Sequence, residues 1–413
     1  MVARQKGFMM KKVLVFFLAL LLLAGAAACG GSGGRAGEPV APIIQPLPSP
    51  APTPTHDPNV PLPVSDEQLF GTVGEIAWRV DRDTETLTIS GTGAIPDFID
   101  EYAPWLWLGL RSPISYGDEP SLYNRLVIEE GITEIGARAF RGLYLTSLSL
   151  PDSLQTIGEL AFQNIDVSFL EIPKNVTVIE ETAFFWNWQD AFYVDENNPN
   201  FCAIDGVLFD KDVSTLIAYP TQRDGNIYEI PATVKHIAAY AFIAWDICTP
   251  LSGIVLPEGL VSMGDGAFAR GYAFFKTTLP KSLRTIGAYA FEDLWMHDLI
   301  LPEGIEELPD RVFAYADLKR IVLPGSLKMM HNEAFYGCYK LEQVYFLGNP
   351  PALAENAPLL CNEKVILYYP SSLSSVWAPN GETEWNGCKI EPYDVLPEIP
   401  EIWERFGDRE EYW

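Results

Sequence analysis

The stretch Pro151–Phe162, PDSLQTIGELAF, decides how this chain is read, because variants of it recur from the middle of the sequence almost to its end. Aligning the Ala-Phe pair that closes it (Val-Phe at Phe313) picks out Phe140, Phe162, Phe184, Phe242, Phe268, Phe291, Phe313 and Phe335. The steps between them are 22, 22, 58, 26, 23, 22 and 22 residues. Five residues before each Phe stands an apolar residue: Ile135, Ile157, Ile179, Ile237, Met263, Ile286, Leu308 or Met330. A Leu-Pro or Ile-Pro step lies further upstream. A fixed period of roughly 20 to 30 residues with apolar side chains at constant places marks a solenoid, whose units cannot bury their apolar faces alone and must stack.

Residue types within one unit set its local structure. In Leu145–Pro151 (LTSLSLP) apolar residues alternate with Ser, so Leu148 and Leu150 point inward while Ser147 and Ser149 point outward. Pro151 has no N–H for a ladder and ends this short strand. Asp152-Ser153 makes a turn, and Ala161-Phe162 is expected on a helical turn or short helix opposite the strand. Stacked strands would form a parallel sheet that advances about 4.8 Å per unit.

The pattern L-P-x-S-L-x-x-I-G-x-x-A-F resembles the BspA-like class of leucine-rich repeat found in bacterial surface proteins, over about Leu126 to Phe346. The resemblance implies an α/β repeat fold: a curved leucine-rich repeat solenoid with a parallel β-sheet on the concave face, an N-terminal β-hairpin cap and a C-terminal β cap. It also implies a secreted or surface-anchored protein used for adhesion or binding, and no enzyme.

Upstream, residues 1–28 carry Arg4, Lys6, Lys11 and Lys12 ahead of an apolar run, Val13–Ala28, and read as a signal peptide. The run is shorter than the roughly 20 residues that span a bilayer. Ala26-Ala27-Ala28-Cys29 followed by Gly-Gly-Ser-Gly-Gly resembles a bacterial lipobox, which implies lipidation at Cys29. Residues 29–65 hold the Cys and a Gly/Ser/Pro-rich spacer, with Pro at nearly every second or third position in its later part, a composition that favours extended polyproline backbone. Residues 66–124 form the expected N-terminal cap. Within it Ile76, Trp78 and Val80 alternate, as do Leu87 and Ile89, around the polar turn at 81–85, which is the pattern of a hairpin. Asp81, Asp83 and Glu85 resemble the start of a calcium loop, but Thr86 stands where such a loop needs Gly, so the stretch reads as an ordinary turn.

Residues 125–347 hold eight repeats. The 58-residue step hides an insertion near 192–220, expected as a β-hairpin of the apolar strands Val207–Phe209 and Leu216–Tyr219, with turn signals at Asp205-Gly206 and Asp210-Lys211-Asp212. Residues 348–391 are the C-terminal cap, and 392–413 an acidic tail with Trp403, Phe406, Tyr412 and Trp413.

The formal charge of −27 argues against nucleic acid as a partner, since phosphate binding needs a basic footprint. His56, His236, His297 and His331 are scattered, no His or Cys pair has metal-ligand spacing, and no Ser lies in a nucleophile elbow. No catalytic, metal or cofactor site is expected. Of the cysteines beyond Cys29, Cys338 fits a small buried position next to Phe335, and Cys361 with Cys388 is a possible bridge.

Binding is expected on outward strand positions of the concave face, with Phe169, Glu171, Lys276, Arg320 and Tyr345 as the principal residues and an extracellular protein as ligand. The alternatives are the loop edge, where Trp186, Trp188, Trp245 and Trp295 would stack on a glycan, and a structural cell-envelope protein. The membrane is engaged only through the lipid.

Overall fold

The computed structural model describes residues 69–99, 102–109, 122–223, 227–243, 251, 253–270, 279–354 and 364–398. Residues 1–68, read above as a signal peptide, Cys29 and a spacer, and residues 399–413 of the acidic tail therefore lie outside the described residues.

The chain is a mostly-β solenoid. Described turns contribute one strand each to parallel pairings that run in separate groups: Arg125–Ile128 with Ser147–Ser149, Phe169–Ile172 with Ala191–Val194, and Asp298–Ile300 with Arg320–Leu323 and Gln343–Phe346. Register is set by the repeat length: Arg125 pairs with Ser147, Phe169 with Ala191, and Arg320 with Gln343. A second short strand follows in each turn, as in Thr156–Ile157 beside Val178–Ile179, and Glu307–Leu308 beside Met329–Met330.

The side opposite the first sheet is where the expected α/β character fails. The described residues contain only two α-helices, Leu106–Gly109 and Ser374–Trp377, each of four residues and neither in a repeat. The Ala-Phe segment is instead a tight corner with left-handed backbone on both sides of the Phe. Two residues before it, Arg138, Leu160, Tyr240, Tyr289, Arg311 and Glu333 have φ between 52° and 61°. Two residues after it, Asn164, Trp186, Arg270, Asp293 and Tyr315 do the same. A right-handed helix cannot include such residues, and each costs about 1–2 kcal/mol away from glycine.

Bonds between turns offset that cost. Six of the corners direct the Phe N–H at a carbonyl of the following corner, among them Phe140 N to Ala161 O (2.9 Å), Phe162 N to Ala183 O (3.0 Å), Phe291 N to Val312 O (2.9 Å) and Phe313 N to Ala334 O (2.9 Å). The left-handed residues donate too, as Arg138 N to Glu159 O at 3.0 Å. Inside the corner the Phe rings form a column. Phe162 lies 5.8 Å from Phe140 and 6.2 Å from Phe184, nearly parallel to both, and is fully buried.

Ser in the P-x-S-L motif has a matching explanation. Ser153 Oγ accepts the N–H of Gly131 (2.9 Å) and donates to Ile132 O (2.8 Å), both in the preceding turn. Glu130 accepts the N–H groups of Asp152 and Ser153. The clamp recurs 173 residues on, where Ser326 bonds Gly304 and Ile305 while Glu303 bonds Gly325 and Ser326. Gly131 and Gly304 have φ of 105° and 100°, which accounts for glycine there.

At the N-terminal end, Ile76–Asp81 and Thr86–Gly91 form the expected hairpin, with Trp78 opposite Ile89 and Val80 opposite Leu87. The strand Phe70–Val73 adds to one edge, and Thr86–Gly91 pairs in parallel with Arg125–Ile128. Asp81 Oδ1 is occupied by the turn itself, accepting the N–H of Asp83 (2.9 Å) and of Thr84 (3.2 Å). Trp105 serves as the first ring of the column, 5.7 Å from Phe140, and its Nε1 donates to Ala139 O at 2.9 Å. At the other end Ile366–Pro370 and Cys388–Tyr393 continue the sheet in parallel, and Glu384–Trp385 folds back antiparallel. Trp377 fills the interior there, 4.8 Å from Phe346 and 5.2 Å from Trp385.

The long step between Phe184 and Phe242 contains a turn that the Ala-Phe alignment misses. Phe201–Ile204, Val207–Asp210 and Thr215–Ala218 form an antiparallel three-stranded meander, one strand more than the expected hairpin. Its last strand pairs in parallel with His236–Ile237 and is the short strand of a regular turn. Ala218-Tyr219 then takes the place of Ala-Phe: Tyr219 N donates to Ala241 O (2.8 Å), and its ring stacks on Phe242 at 5.0 Å. Among the described residues this adds a corner to the eight that the Ala-Phe alignment picks out.

Cys338 is buried and its thiol donates to Phe313 O at 2.9 Å. Cys388 is buried with a free thiol, and Cys361, the other half of the possible bridge, lies outside the described residues.

Phe162→Ala should lower stability by about 3–5 kcal/mol, since both ring neighbours lose contact and no side chain can collapse into the column. Ser149→Ala, on an exposed strand position, should change a thermal melt by no more than about 0.5 kcal/mol. Similar effects from the two would contradict the ring column.

Candidate functional site

A parallel sheet presents every second side chain on its open face, so residues one repeat apart form rows. Arg125 pairs with Ser147 and Val127 with Ser149; in the next pair of strands Phe169 pairs with Ala191 and Glu171 with Tyr193. Phe169 is 53% exposed and Tyr193 52%, with ring centroids 5.7 Å apart. Glu171 is exposed beside them. Beyond the meander, Ile227 is 62% exposed and Glu229 is exposed. Tyr193 escaped the sequence reading because its strand was counted with the insertion. The signal was the spacing, since Tyr193 stands 22 residues after Glu171.

Toward the C-terminal end the same face changes character. Arg320 is held by Asp298 on the adjacent strand, Nε to Oδ1 at 2.9 Å, with both side chains mostly covered. Tyr345, expected as an open contact residue, is only 6% exposed. Its ring stacks at 4.6 Å on Tyr368 and meets Tyr393 edge-on at 5.8 Å. Burial, reinforced by Tyr368 and only partly opposed by Arg320, holds its hydroxyl above the usual tyrosine value. Tyr345 is on the outward side of its strand, as alternation requires, but its neighbours in the row are large enough to close over it. Lys276 lies outside the described residues.

On the loop edge, Trp186 is half-buried, 4.6 Å from Phe185, with the Arg270 guanidinium 5.8 Å from its ring. Trp188 is half-buried, and its Nε1 donates to Asn164 Oδ1 at 3.3 Å. Burial raises the carboxyls of Glu292 and Asp293 nearby, against the pull of Arg270. Trp295 and Tyr339 are exposed. Trp245 lies outside the described residues. The loop-edge tryptophans therefore do not form one continuous platform among the described residues: two are packed into the corner and one is open.

This arrangement offers contact area, rings and carboxylates. Among the described residues no group of three or more His, Cys, Asp or Glu is placed to hold a metal ion. No helix among them is long and apolar enough to cross a membrane.

Corners joined by inter-turn hydrogen bonds, a strand sheet and an internal ring column define a leucine-rich repeat solenoid. The chain is a leucine-rich repeat protein of the BspA type: the family described as BspA type leucine rich repeat region matches residues 119–197 and 235–361, in six copies. The unmatched gap holds the meander. Among solved structures the chain is similar to a leucine-rich repeat protein from Eubacterium ventriosum, at 24% identity over 69% of this chain and 85% of that one, with a TM-score of 0.47. It is also similar to the pneumococcal vaccine antigen PcpA, at 19% identity over 79% and 99% of the two chains, with a TM-score of 0.44. A leucine rich cell surface protein from Faecalibacterium prausnitzii aligns at 20% identity over 79% and 95%, with a TM-score of 0.37. No curated protein matches the chain significantly.

Tyr345→Ala should destabilise the protein by about 3–5 kcal/mol, the range for removing a buried aromatic side chain, whereas Phe169→Ala should change stability by less than about 1 kcal/mol. Chemical denaturation of both variants checks this, and equal effects would contradict the difference in burial.

Proposed function

We propose that this protein is a non-catalytic binding module of the bacterial cell surface, taking an extracellular protein on the outward face of its repeat strands. The observation that carries the reading is the exposed aromatic pair Phe169–Tyr193, flanked by Glu171. Large rings left in water on a rigid sheet are suited to a partner's surface, because aromatic anchors supply most of the contact energy at interfaces. The described part of the face is not evenly open: the N-terminal rows present the exposed rings, while the rows at Arg320 and Tyr345 are closed by their own neighbours. In this reading the sheet face is concave, the Ile76–Gly91 hairpin covers one end of the core, and the strands from Ile366 to Tyr393 cover the other. A lipid on Cys29 and the Pro-rich spacer hold the repeats away from the membrane.

A glycan on the loop edge is the second reading, supported by the exposed rings of Trp295 and Tyr339.

Binding of the full chain to immobilised extracellular matrix proteins and to a glycan array separates the two. Phe169→Ser together with Tyr193→Ser should weaken a protein interaction by roughly tenfold or more while leaving the melt nearly unchanged. Loss of binding on Trp188→Ala and Trp295→Ala, with the Phe169 and Tyr193 changes silent, would place the ligand on the loop edge.

The anchor is tested separately. Cys29→Ala should shift the protein from the detergent phase to the aqueous phase or the medium, because acyl chains supply the membrane affinity. Unchanged membrane retention would overturn lipidation.

A further inference from the structure

The rung of the stack that follows each corner is apolar in the first two repeats and polar in the third. Leu143 and Leu145 are followed one turn later by Ile165 and Val167, all buried, and one turn later again by Asn187 and Gln189. Gln189 is 0% exposed, and neither atom of its side-chain amide has a hydrogen-bond partner. Asn187 Oδ1 accepts the N–H of Ile165 at 3.1 Å, but its Nδ2 has no partner. The two backbone carbonyls are satisfied from the next turn, by Thr221 Oγ1 and Gln222 N. The side chains are what break the pattern.

A second, independent feature falls at the same level. The apolar interior parts into two clusters, one running from Leu69 to Ala218 and the other from Val207 to Ile390 in sequence. They meet across the strand Val207–Asp210, where Leu208 packs into the first cluster while Val207 and Phe209 pack into the second. The ring column changes here too. Phe184 closes the first series and turns to Phe192 at 5.2 Å, and Tyr219 opens the second, 5.0 Å from both Tyr228 and Phe242.

We propose that this level is a joint, and that the solenoid folds and unfolds as two cooperative blocks: one ending with the strand Ala191–Val194, the other beginning with Val207–Asp210. In a stack stabilised by nearest-neighbour contacts, cooperativity crosses a given level only as far as its interface stabilises it. Enclosed amide groups without partners weaken this interface, and the change from one apolar cluster to the other falls at the same level, bridged by Leu208 and by Phe185 against Tyr240. The weakest interface sets the boundary between units that open separately.

Hydrogen exchange of the full chain in increasing urea, read by mass spectrometry, tests the joint. Peptides covering Arg125–Ile128 and Phe169–Ile172 should lose protection together, and those covering Arg320–Leu323 and Gln343–Phe346 together at a different urea concentration. Between the two midpoints the exchange rates of the sets should differ by roughly tenfold or more. The double variant Asn187→Ile, Gln189→Val, which continues the apolar rung, should bring the midpoints together; Gln189→Met serves if the double variant does not accumulate. Coincident loss of protection in the wild-type chain would overturn the proposal, and so would a boundary outside 194–207. A separation as wide in the apolar variant as in the wild type would overturn it equally.

Discussion

The stacking of one turn on the next is the interaction on which the rest of this structure depends. A turn of about 22 residues cannot enclose a Phe ring, satisfy its corner N–H groups or complete its strand by itself; each of these partners comes from the adjacent turn. Because the partner always lies one repeat away, a constant period is a structural requirement. The same logic explains why the left-handed corner residues are so varied in type. Arg138, Tyr240, Tyr289 and Arg311 all occupy the position two before the Phe, and each backbone N–H bonds the next turn whatever its side chain.

Repetition also governs where binding surface can exist. Outward side chains of successive turns are neighbours, so a small residue leaves its neighbour in the row exposed and a large one covers it. Phe169 pairs with the small Ala191, and its ring stays open. Tyr345 is followed by Tyr368, and its ring is closed. Exposure on the face is a property of pairs of repeats.

Much of this was legible beforehand. The repeat, the inward and outward strand positions and the hairpin at Ile76–Gly91 follow from spacing and alternation, which are local. The corner was misread as helical because Ala-Phe flanked by ordinary residues carries no mark of left-handed backbone; only bonds to the next turn select it. The turn built on Ala218-Tyr219 escaped because the meander stretched its spacing to 35 residues and Tyr replaced Phe. Tyr193 was missed for the same reason.

The amino-acid sequence by itself determined the period, the identity of the core side chains and the acidic character of the molecule, because these depend on residue type and spacing alone. Tertiary structure decided which outward residues remain in water and how far the core is continuous. Gln189 shows the reason. Its position is apolar in the turns before it, yet its side chain is enclosed with no partner for its amide, at the level where one apolar cluster gives way to the next. Such properties belong to contacts between turns, and no single repeat contains them.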